Sequence, residues 1–324
     1  MAPRTRVLAI VGAAAVLAVA GTVTVTWLQA RGGTTHAAAA VVSKPRSGRP
    51  PLTFDFGVRN DAEVRALAQA AALYRAGKVR AARAIFDRHH SVDAQLGSAF
   101  ARWPDGSLEA VERIVAAHRH SPAARLQLAW ALLWAGRNAD AVKQFRIVDT
   151  QYPDAPESVT AENVLYPGMA IDLPPLILGL GLPRAPTAAD QLRELMAAAK
   201  RRDVDAKLRY GLALWTLHRR VSAERAFTEA AALAPGNAVA QTAAAVGLFT
   251  KRNPVRAFAR LGPLSGRFPD AAVVHLHLGT LLLWTGSVGK APAQLRLAVR
   301  EAPGSPFAAA AGQLLQLLQK DGTK

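Results

Sequence analysis

The chain contains no cysteine among its 324 residues. This absence excludes disulfide bonds, thiolate metal sites, a cysteine nucleophile and lipid attachment to cysteine, and it leaves the redox compartment open. The sequence also lacks a phosphate-binding loop, a Gly-x-Ser-x-Gly turn, a His-Glu-x-x-His zinc motif and a dinucleotide fingerprint. We therefore predict no catalytic site, no cofactor and no metal site, and we expect the protein not to be an enzyme.

Acidic residues are scarce relative to basic ones, with 23 Asp and Glu against 40 Lys and Arg and a formal net charge of +17. Such an excess suits an anionic partner. Arginine is scattered through almost every segment, so we regard nucleic acid as an unlikely partner. Electrostatic binding of another anionic polymer or of an anionic lipid surface stays open as an alternative function. Its densest patch would comprise Arg201, Arg202, Arg209, Arg219, Arg220 and Arg225.

Charge is absent from residues 7–28, which follow Arg4 and Arg6. At 1.5 Å per residue this stretch reaches about 33 Å, enough to cross a bilayer core. We predict a membrane segment over residues 1–28 whose N-terminus is cytoplasmic, so that the remaining chain is extracytoplasmic. The alternative is a signal peptide that is cleaved near Ala20, which would give a secreted protein.

Residues 29–58 show no periodic apolar face and are rich in Gly, Ala, Pro and Thr, so we predict a flexible linker there. Beyond it, no section has the alternating pattern of strands. Long Ala- and Leu-rich stretches separated by short turns with Gly or Pro predict an all-α fold.

Three prolines stand 34 residues apart, at Pro235, Pro269 and Pro303. Each closes a segment with the same internal spacing, in which a small residue in a first helix faces a small-then-bulky pair in a second helix. The small residues of the first helices are Gly211, Ala245 and Gly279, and the pairs are Ala223 with Phe227, Ala257 with Leu261 and Ala291 with Leu295. A fixed period of this length predicts stacked helical hairpins.

These residues resemble the tetratricopeptide repeat, and the segment from Pro122 to Pro156 is the clearest copy. In phase there are Leu128, Ala129, Leu132, Gly136, Ala141, Phe145 and Pro153. The repeats are divergent, because the large aromatic residue usual at the fourth position is replaced by Arg125, Lys207, Gln241 and His275. The Gly262-Pro263 pair should break or kink one second helix.

The resulting prediction is an α-solenoid of tetratricopeptide-like repeats behind an N-terminal membrane or signal helix. Its parts are residues 59–155 with N-terminal repeats, residues 156–203 with an irregular repeat, residues 204–305 with C-terminal repeats and residues 306–324 with a capping helix and tail. The irregular part contains an apolar loop rich in leucine and proline over residues 166–183. Such a loop needs to be covered: it either packs along the solenoid or docks a partner. A helix is predicted to restart after Thr187, with Asp190 as its capping partner.

The resemblance implies a curved ribbon whose first helices line a concave face that binds a protein or peptide. The positions that point into this face carry four of the six tryptophans. The predicted partner-binding groove comprises Trp130, Leu133, Trp134, Leu208, Leu212, Trp215, Phe249, Leu276, Leu283 and Trp284. The alternative is that these rings are ordinary core. The sequence thus favours a membrane-tethered scaffold that organises another cell-envelope protein.

Overall fold

The computed structural model describes residues 44–322, with side chains to residue 319. Throughout this part the secondary structure consists of helices joined by turns and loops, without a strand, so the all-α prediction is confirmed for it. The predicted membrane segment and the first part of the linker lie outside the described residues. Among the helices from residue 44 onwards, none has the length and apolar content that crossing a membrane requires.

The N-terminal half consists of three helical hairpins and one further helix. These are α1 (Ala62–Arg75) with α2 (Val79–Phe86), α3 (Val92–Ala101) with α4 (Ser107–Ala117), α5 (Pro122–Trp134) with α6 (Asn138–Gln151), and α7 (Pro156–Leu165). Each helix packs chiefly on its neighbour in the chain. The segment between the first and last of these hairpins is a complete hairpin as well, formed by α3 and α4.

The C-terminal half restarts after the apolar loop. It comprises α8 (Ala188–Ala199), the hairpin α9 (Val204–Thr216) with α10 (Arg220–Leu233), α11 (Ala238–Val246), α12 (Val255–Leu261), α13 (Leu264–Arg267), the hairpin α14 (Ala272–Trp284) with α15 (Ala291–Glu301), and α16 (Pro306–Gly322). The break predicted at Gly262-Pro263 is confirmed, because it separates α12 from α13. The predicted C-terminal capping helix is α16.

Polar side chains fix where several helices begin. At each of these positions the residue before the helix accepts a hydrogen bond from the backbone N–H three residues later, which satisfies one free donor of the first turn. The cap predicted at Thr187 is confirmed: its hydroxyl accepts from the Asp190 N–H at 3.0 Å and donates to the Asp190 carboxylate at 2.7 Å. The other caps of this kind are Asp61, Ser91, Ser121, Asp203, Asn237 and Ser305.

The small-and-bulky spacing of the repeats corresponds to close helix contacts. A Cβ atom placed on Gly211 of α9 would lie 2.4 Å from the Phe227 ring of α10. A Cβ on Gly279 of α14 would likewise lie 2.6 Å from Leu295 of α15. Each glycine therefore lets the second helix of its hairpin approach the first, and the bulky side chain fills the space, as the period predicts.

The linker prediction is wrong for residues 46–56, which pack along the N-terminal half; we call them the N-terminal strap. Leu52 is buried, and the Arg46 N–H donates to the Trp134 carbonyl at 2.9 Å. The Tyr74 hydroxyl donates to the Pro50 carbonyl at 2.8 Å. The missed signal is an alternation of apolar residues, at Leu52, Phe54 and Phe56, which places them on one side of an extended chain.

Helix α7 joins the two halves. Its Ala161 belongs to the hydrophobic core of the N-terminal half, and its Val159 belongs to the core of the C-terminal half. A third, smaller core lies between α14, α15 and α16. The polar face of α7 carries Ser158, Glu162 and Asn163, which take part in a buried ionic cluster between the halves.

Arg220, the first residue of α10, is the centre of this cluster and is only 4% exposed. Its guanidinium donates to the Glu162 carboxylate at 2.9 Å and to the Ser158 hydroxyl at 3.2 Å, and it lies 3.8 Å from the Asp149 carboxylate of α6. Glu162 is fully buried. The prediction that Arg220 belongs to a basic patch for an anionic partner is therefore wrong.

Lys251, in the turn between α11 and α12, completes the cluster. Its backbone N–H donates to the Glu162 carboxylate at 3.3 Å, and its ammonium donates to the Asn163 side chain. Burial lowers the pKa of Lys251 to about 8, while burial and the nearby Glu162 raise the pKa of Asp149 above its ordinary value. Because these groups are enclosed between packed helices, the cluster acts as a joint rather than as a site that a substrate could enter.

We predict that Arg220→Ala lowers the free energy of unfolding by about 3–5 kcal/mol, because the buried Glu162 carboxylate would lose its ion-pair partner and Asp149 would keep only Arg252, at 3.7 Å. Chemical denaturation monitored by circular dichroism measures this loss. Arg225→Ala is the matched control, since Arg225 lies on the same helix and is exposed; it should change stability by less than about 0.5 kcal/mol. Equal stabilities of the two variants would contradict the role of the cluster.

Candidate functional site

The apolar loop after α7 fills part of the predicted groove. We call residues 170–181 the C-terminal strap. Leu173, Leu176 and Leu178 of this strap are buried in the core of the C-terminal half. Of the two alternatives that the sequence left open, the structure shows the first: the loop packs along the solenoid.

The C-terminal strap is held by hydrogen bonds between its main chain and the side chains of two first helices, α9 and α14. The Trp284 indole donates to the Asp172 carbonyl at 3.2 Å, and the Trp215 indole donates to the Pro174 carbonyl at 3.0 Å. Further along, the Arg209 guanidinium donates to the Gly181 carbonyl at 3.0 Å. The strap thus begins beside the C-terminal ends of α9 and α14 and runs antiparallel to them.

The far end of the strap meets the capping helix. Gly179 has a φ of +69°, a conformation that favours glycine, and a Cβ there would lie 3.2 Å from the Phe307 ring of α16. Glycine at this position therefore allows both the turn of the strap and its close approach to α16.

His277 of α14 binds the middle of the strap. Its Nε2 accepts a hydrogen bond from the Ile177 N–H at 3.1 Å, and its Nδ1 donates to the Val273 carbonyl at 2.7 Å. Because a backbone N–H can only donate, the imidazole is neutral with its proton on Nδ1. Burial lowers the pKa of His277 to about 4.

The two straps dock in the same way. In the N-terminal half the Arg46 N–H donates to the carbonyl of Trp134, the last residue of α5, and in the C-terminal half the Ala170 N–H donates to the carbonyl of Trp284, the last residue of α14, at 3.0 Å. The N-terminal strap also runs antiparallel to its helix, since Gln127 in the middle of α5 donates to the Thr53 carbonyl. Each half of the solenoid therefore holds an extended segment of its own chain against a first helix.

The structure divides the ten predicted groove residues into two sets. Buried are Leu208, Trp215, Phe249, Leu276 and Trp284. Partly exposed are Trp130, Leu133, Trp134, Leu212 and Leu283. The core alternative thus describes the first set, and the strap supplies the cover for its two tryptophans. A binding role for the second set stays a prediction.

Trp130, Leu133 and Trp134 form a patch on α5 that we call the α5 patch. The two indole rings meet edge to face with centroids 6.0 Å apart, and Trp130 packs in the same way on Phe145 at 5.0 Å. The Arg46 guanidinium of the N-terminal strap lies 5.3 Å from the centre of the Trp134 ring. Both indole N–H groups are buried, and neither has a hydrogen-bond acceptor in the part of the chain that the structure describes.

This lack of acceptors distinguishes the α5 patch from the other half, where Trp215 and Trp284 donate to strap carbonyls. A buried donor without an acceptor costs about 1–3 kcal/mol. The repeat pattern predicted that the four tryptophans lie on first helices. The carbonyl acceptors of Trp215 and Trp284 come from an irregular loop that follows no repeat pattern, so the pattern could not predict them.

The basic patch of the alternative function is smaller than predicted. Arg220 is buried in the ionic cluster, and Arg209 binds the C-terminal strap and lies 3.6 Å from Asp205. Arg201, Arg202, Arg219 and Arg225 are exposed. Between residues 44 and 319, no three or more His, Asp or Glu side chains come together as metal ligands would.

No family model matches the chain, and no curated protein matches it. It is similar to a tetratricopeptide repeat protein from Parabacteroides merdae at 12% identity and a TM-score of 0.34, over 79% of this chain and 98% of that one. It is also similar to yeast Tom70 at 13% identity and a TM-score of 0.35, over 84% of this chain and 52% of that one. A third similar structure is the C-terminal part of a TPR repeat-containing protein from Cytophaga hutchinsonii, at 12% identity and a TM-score of 0.25, over 76% of this chain and 98% of that one.

We predict that acidification weakens the fold through His277. The unfolded chain binds a proton at this side chain below a pKa of about 6.5, whereas the folded protein does not until about pH 4. The stability that the neutral His277 contributes is therefore complete above pH 6.5 and is lost as the pH falls towards 4. Between pH 7 and pH 5 the loss should be about 2 kcal/mol.

The measurement is urea unfolding of the wild type and of His277→Gln at pH 7 and pH 5. The glutamine carbonyl can still accept from Ile177 but does not titrate. Asp149 shifts in the opposite sense in both proteins, because a raised carboxyl pKa favours the folded state as the pH falls, so the difference between the two proteins isolates His277. Parallel losses in the two proteins would contradict this assignment.

Proposed function

We propose that the protein is a non-enzymatic scaffold whose concave surface binds extended peptide segments of a partner protein. The observation that carries this proposal is the C-terminal strap, in which indole side chains of the first helices donate to the main-chain carbonyls of an extended segment. A site that binds the main chain of a peptide accepts peptides with many different side chains. Apolar pockets for some of the peptide side chains then give specificity. The inner surface of this solenoid thus has the chemistry of a peptide-binding surface.

The site that we propose for the partner is the α5 patch. Its aromatic rings offer a large contact area at little cost in rotamer freedom, and two indole donors there need acceptors. Because both indole N–H groups are buried, a partner main chain would reach them only after the side chains that cover them move aside. It would then supply two carbonyl groups, as the C-terminal strap does for Trp215 and Trp284. Binding would require the Arg46 side chain to leave the Trp134 ring.

We predict that the double variant Trp130→Phe and Trp134→Phe loses partner capture, because it keeps the aromatic rings but removes both donors. Each lost hydrogen bond should weaken binding about tenfold. The full-length protein with a photoreactive residue beside the α5 patch is crosslinked in intact cells, and the captured peptides are identified and quantified by mass spectrometry.

Trp103→Phe is the matched control, since Trp103 also packs partly buried on the N-terminal core but lies outside the patch. The control should keep the captured peptides, and all variants should keep the helical signal and melting temperature of the wild type. Unchanged capture by the double variant would contradict a binding role of the α5 patch.

We further propose that residues 7–28 tether this scaffold to a membrane and that its partner belongs to the cell envelope. The support is the uncharged length of that segment and its position before the repeats. The full-length protein should sediment with membranes and resist extraction by high salt and carbonate, whereas a chain that begins at residue 29 should be soluble. A full-length protein found in the soluble fraction, and shortened near Ala20, would favour the secreted alternative.

Binding of an anionic polymer or lipid surface is the second candidate. Exposed Arg225 adjoins an open cleft between α8, α9 and α10 that Lys200, Lys207 and Glu229 also line. Lys207 lies 2.5 Å from Glu229, which offsets part of the positive charge of the cleft. Binding through this surface would weaken steeply with salt, whereas binding at the α5 patch would respond little.

A further inference from the structure

The C-terminal strap is built like a bound ligand rather than like a core segment. Over residues 172–181 its main chain makes hydrogen bonds to side chains of the solenoid, namely Asn163, Trp284, Trp215, His277 and Arg209. Core segments of a repeat protein instead satisfy their main chain within helices. Five polar side chains of the solenoid thus bind the main chain of this extended segment.

Only some apolar side chains of the strap are buried against the solenoid, as in a bound extended peptide. Leu173, Leu176 and Leu178 are buried, whereas Ile171 is 51% exposed. Between Leu173 and Leu176 stand two prolines, which cannot donate hydrogen bonds and which favour an extended chain. The strap is therefore an extended, mainly apolar segment with leucines three and two positions apart and two prolines between the first two.

The flanks of the strap are suited to its release. Pro167 and Gly168 are exposed before it, and Pro183, Arg184 and Pro186 are exposed after it. Helix α7 ends at Leu165 and α8 begins at Ala188 with its own cap at Thr187. The strap can therefore leave the groove while both neighbouring helices keep their ends.

An empty groove is nevertheless unfavourable, because two indole donors, the His277 acceptor and three leucine pockets would lose their partners. The strap therefore leaves only in exchange for another segment that satisfies the same groups.

We propose that the groove between α9 and α14 is a second peptide-binding site, in which the C-terminal strap is a resident pseudo-ligand that a partner's leucine- and proline-containing extended segment replaces. This inference rests on the proposed binding role of the concave surface but concerns a different half of the molecule from the α5 patch. The strap limits which partners bind, because a tethered segment acts at an effective concentration of about 1 mM. A partner segment must bind about 1,000-fold more tightly than the strap to replace it at micromolar concentration.

The test uses the full chain with protease recognition sequences inserted at Gly168 and at Arg184, both of which are exposed. Cleavage after folding divides the chain into two halves and a separate strap peptide. We expect the halves to stay together through the packing of α7 and the buried ionic cluster. A fluorescent peptide with the sequence of residues 169–183 is then added, and its uptake is followed by fluorescence anisotropy and native mass spectrometry. We expect the labelled peptide to replace the cleaved strap with a 1:1 stoichiometry while the helical signal stays constant.

Two comparisons make the result specific. A peptide carrying Leu173→Ser, Leu176→Ser and Leu178→Ser should fail to bind. The double variant Trp215→Phe and Trp284→Phe should bind the natural peptide about 10–100-fold more weakly, because two hydrogen bonds to carbonyls are lost. The pair Trp130→Phe and Trp134→Phe should leave uptake unchanged, which separates this site from the α5 patch.

Three results would overturn the proposal: a cleaved strap that never exchanges, a loss of helical signal when it leaves, or equal uptake of the serine peptide. The first two would make the strap a permanent part of the core. The third would make the uptake non-specific. None of them bears on capture at the α5 patch, so the two binding sites can fail independently.

Discussion

The structure depends on the covering of the apolar faces of its first helices. Hairpin helices satisfy their own main chain, but the first helices carry leucine and tryptophan side chains whose exposure to water is unfavourable. This chain covers those faces with two extended segments of its own. Since an extended segment brings unpaired N–H and C=O groups, the surface that receives it needs polar side chains at matching positions. Trp215, Trp284, His277 and Gln127 meet this requirement.

The same requirement connects the fold to its proposed function. Under the proposed function, side chains that bind an extended segment of this chain would bind one from another protein by the same contacts. The two halves differ in whether the chain itself supplies acceptors for the indole N–H groups. In the C-terminal half both indoles of the groove have acceptors, whereas the two indoles of the α5 patch have none within residues 44–322.

The buried ionic cluster favours one orientation of the two halves relative to each other. Apolar packing along α7 alone would tolerate small rotations, whereas Arg220 contacts Glu162 and Ser158 in one geometry. Burial of these charges costs desolvation, so the cluster contributes more to the precision of the joint than to stability.

The sequence by itself determined the helical hairpins, because a repeat of 34 residues brings Gly211 to Phe227 and Gly279 to Leu295 through local helix geometry. It also determined the break at Gly262-Pro263, the cap at Thr187 and the positions of the tryptophans, since each depends on neighbours a few residues away. Only the tertiary structure decided that residues 46–56 pack, that the leucine- and proline-rich loop covers Trp215 and Trp284, and that Glu162 pairs with Arg220. These contacts join residues tens of positions apart in segments outside the repeat, and no period in the sequence relates such residues to each other.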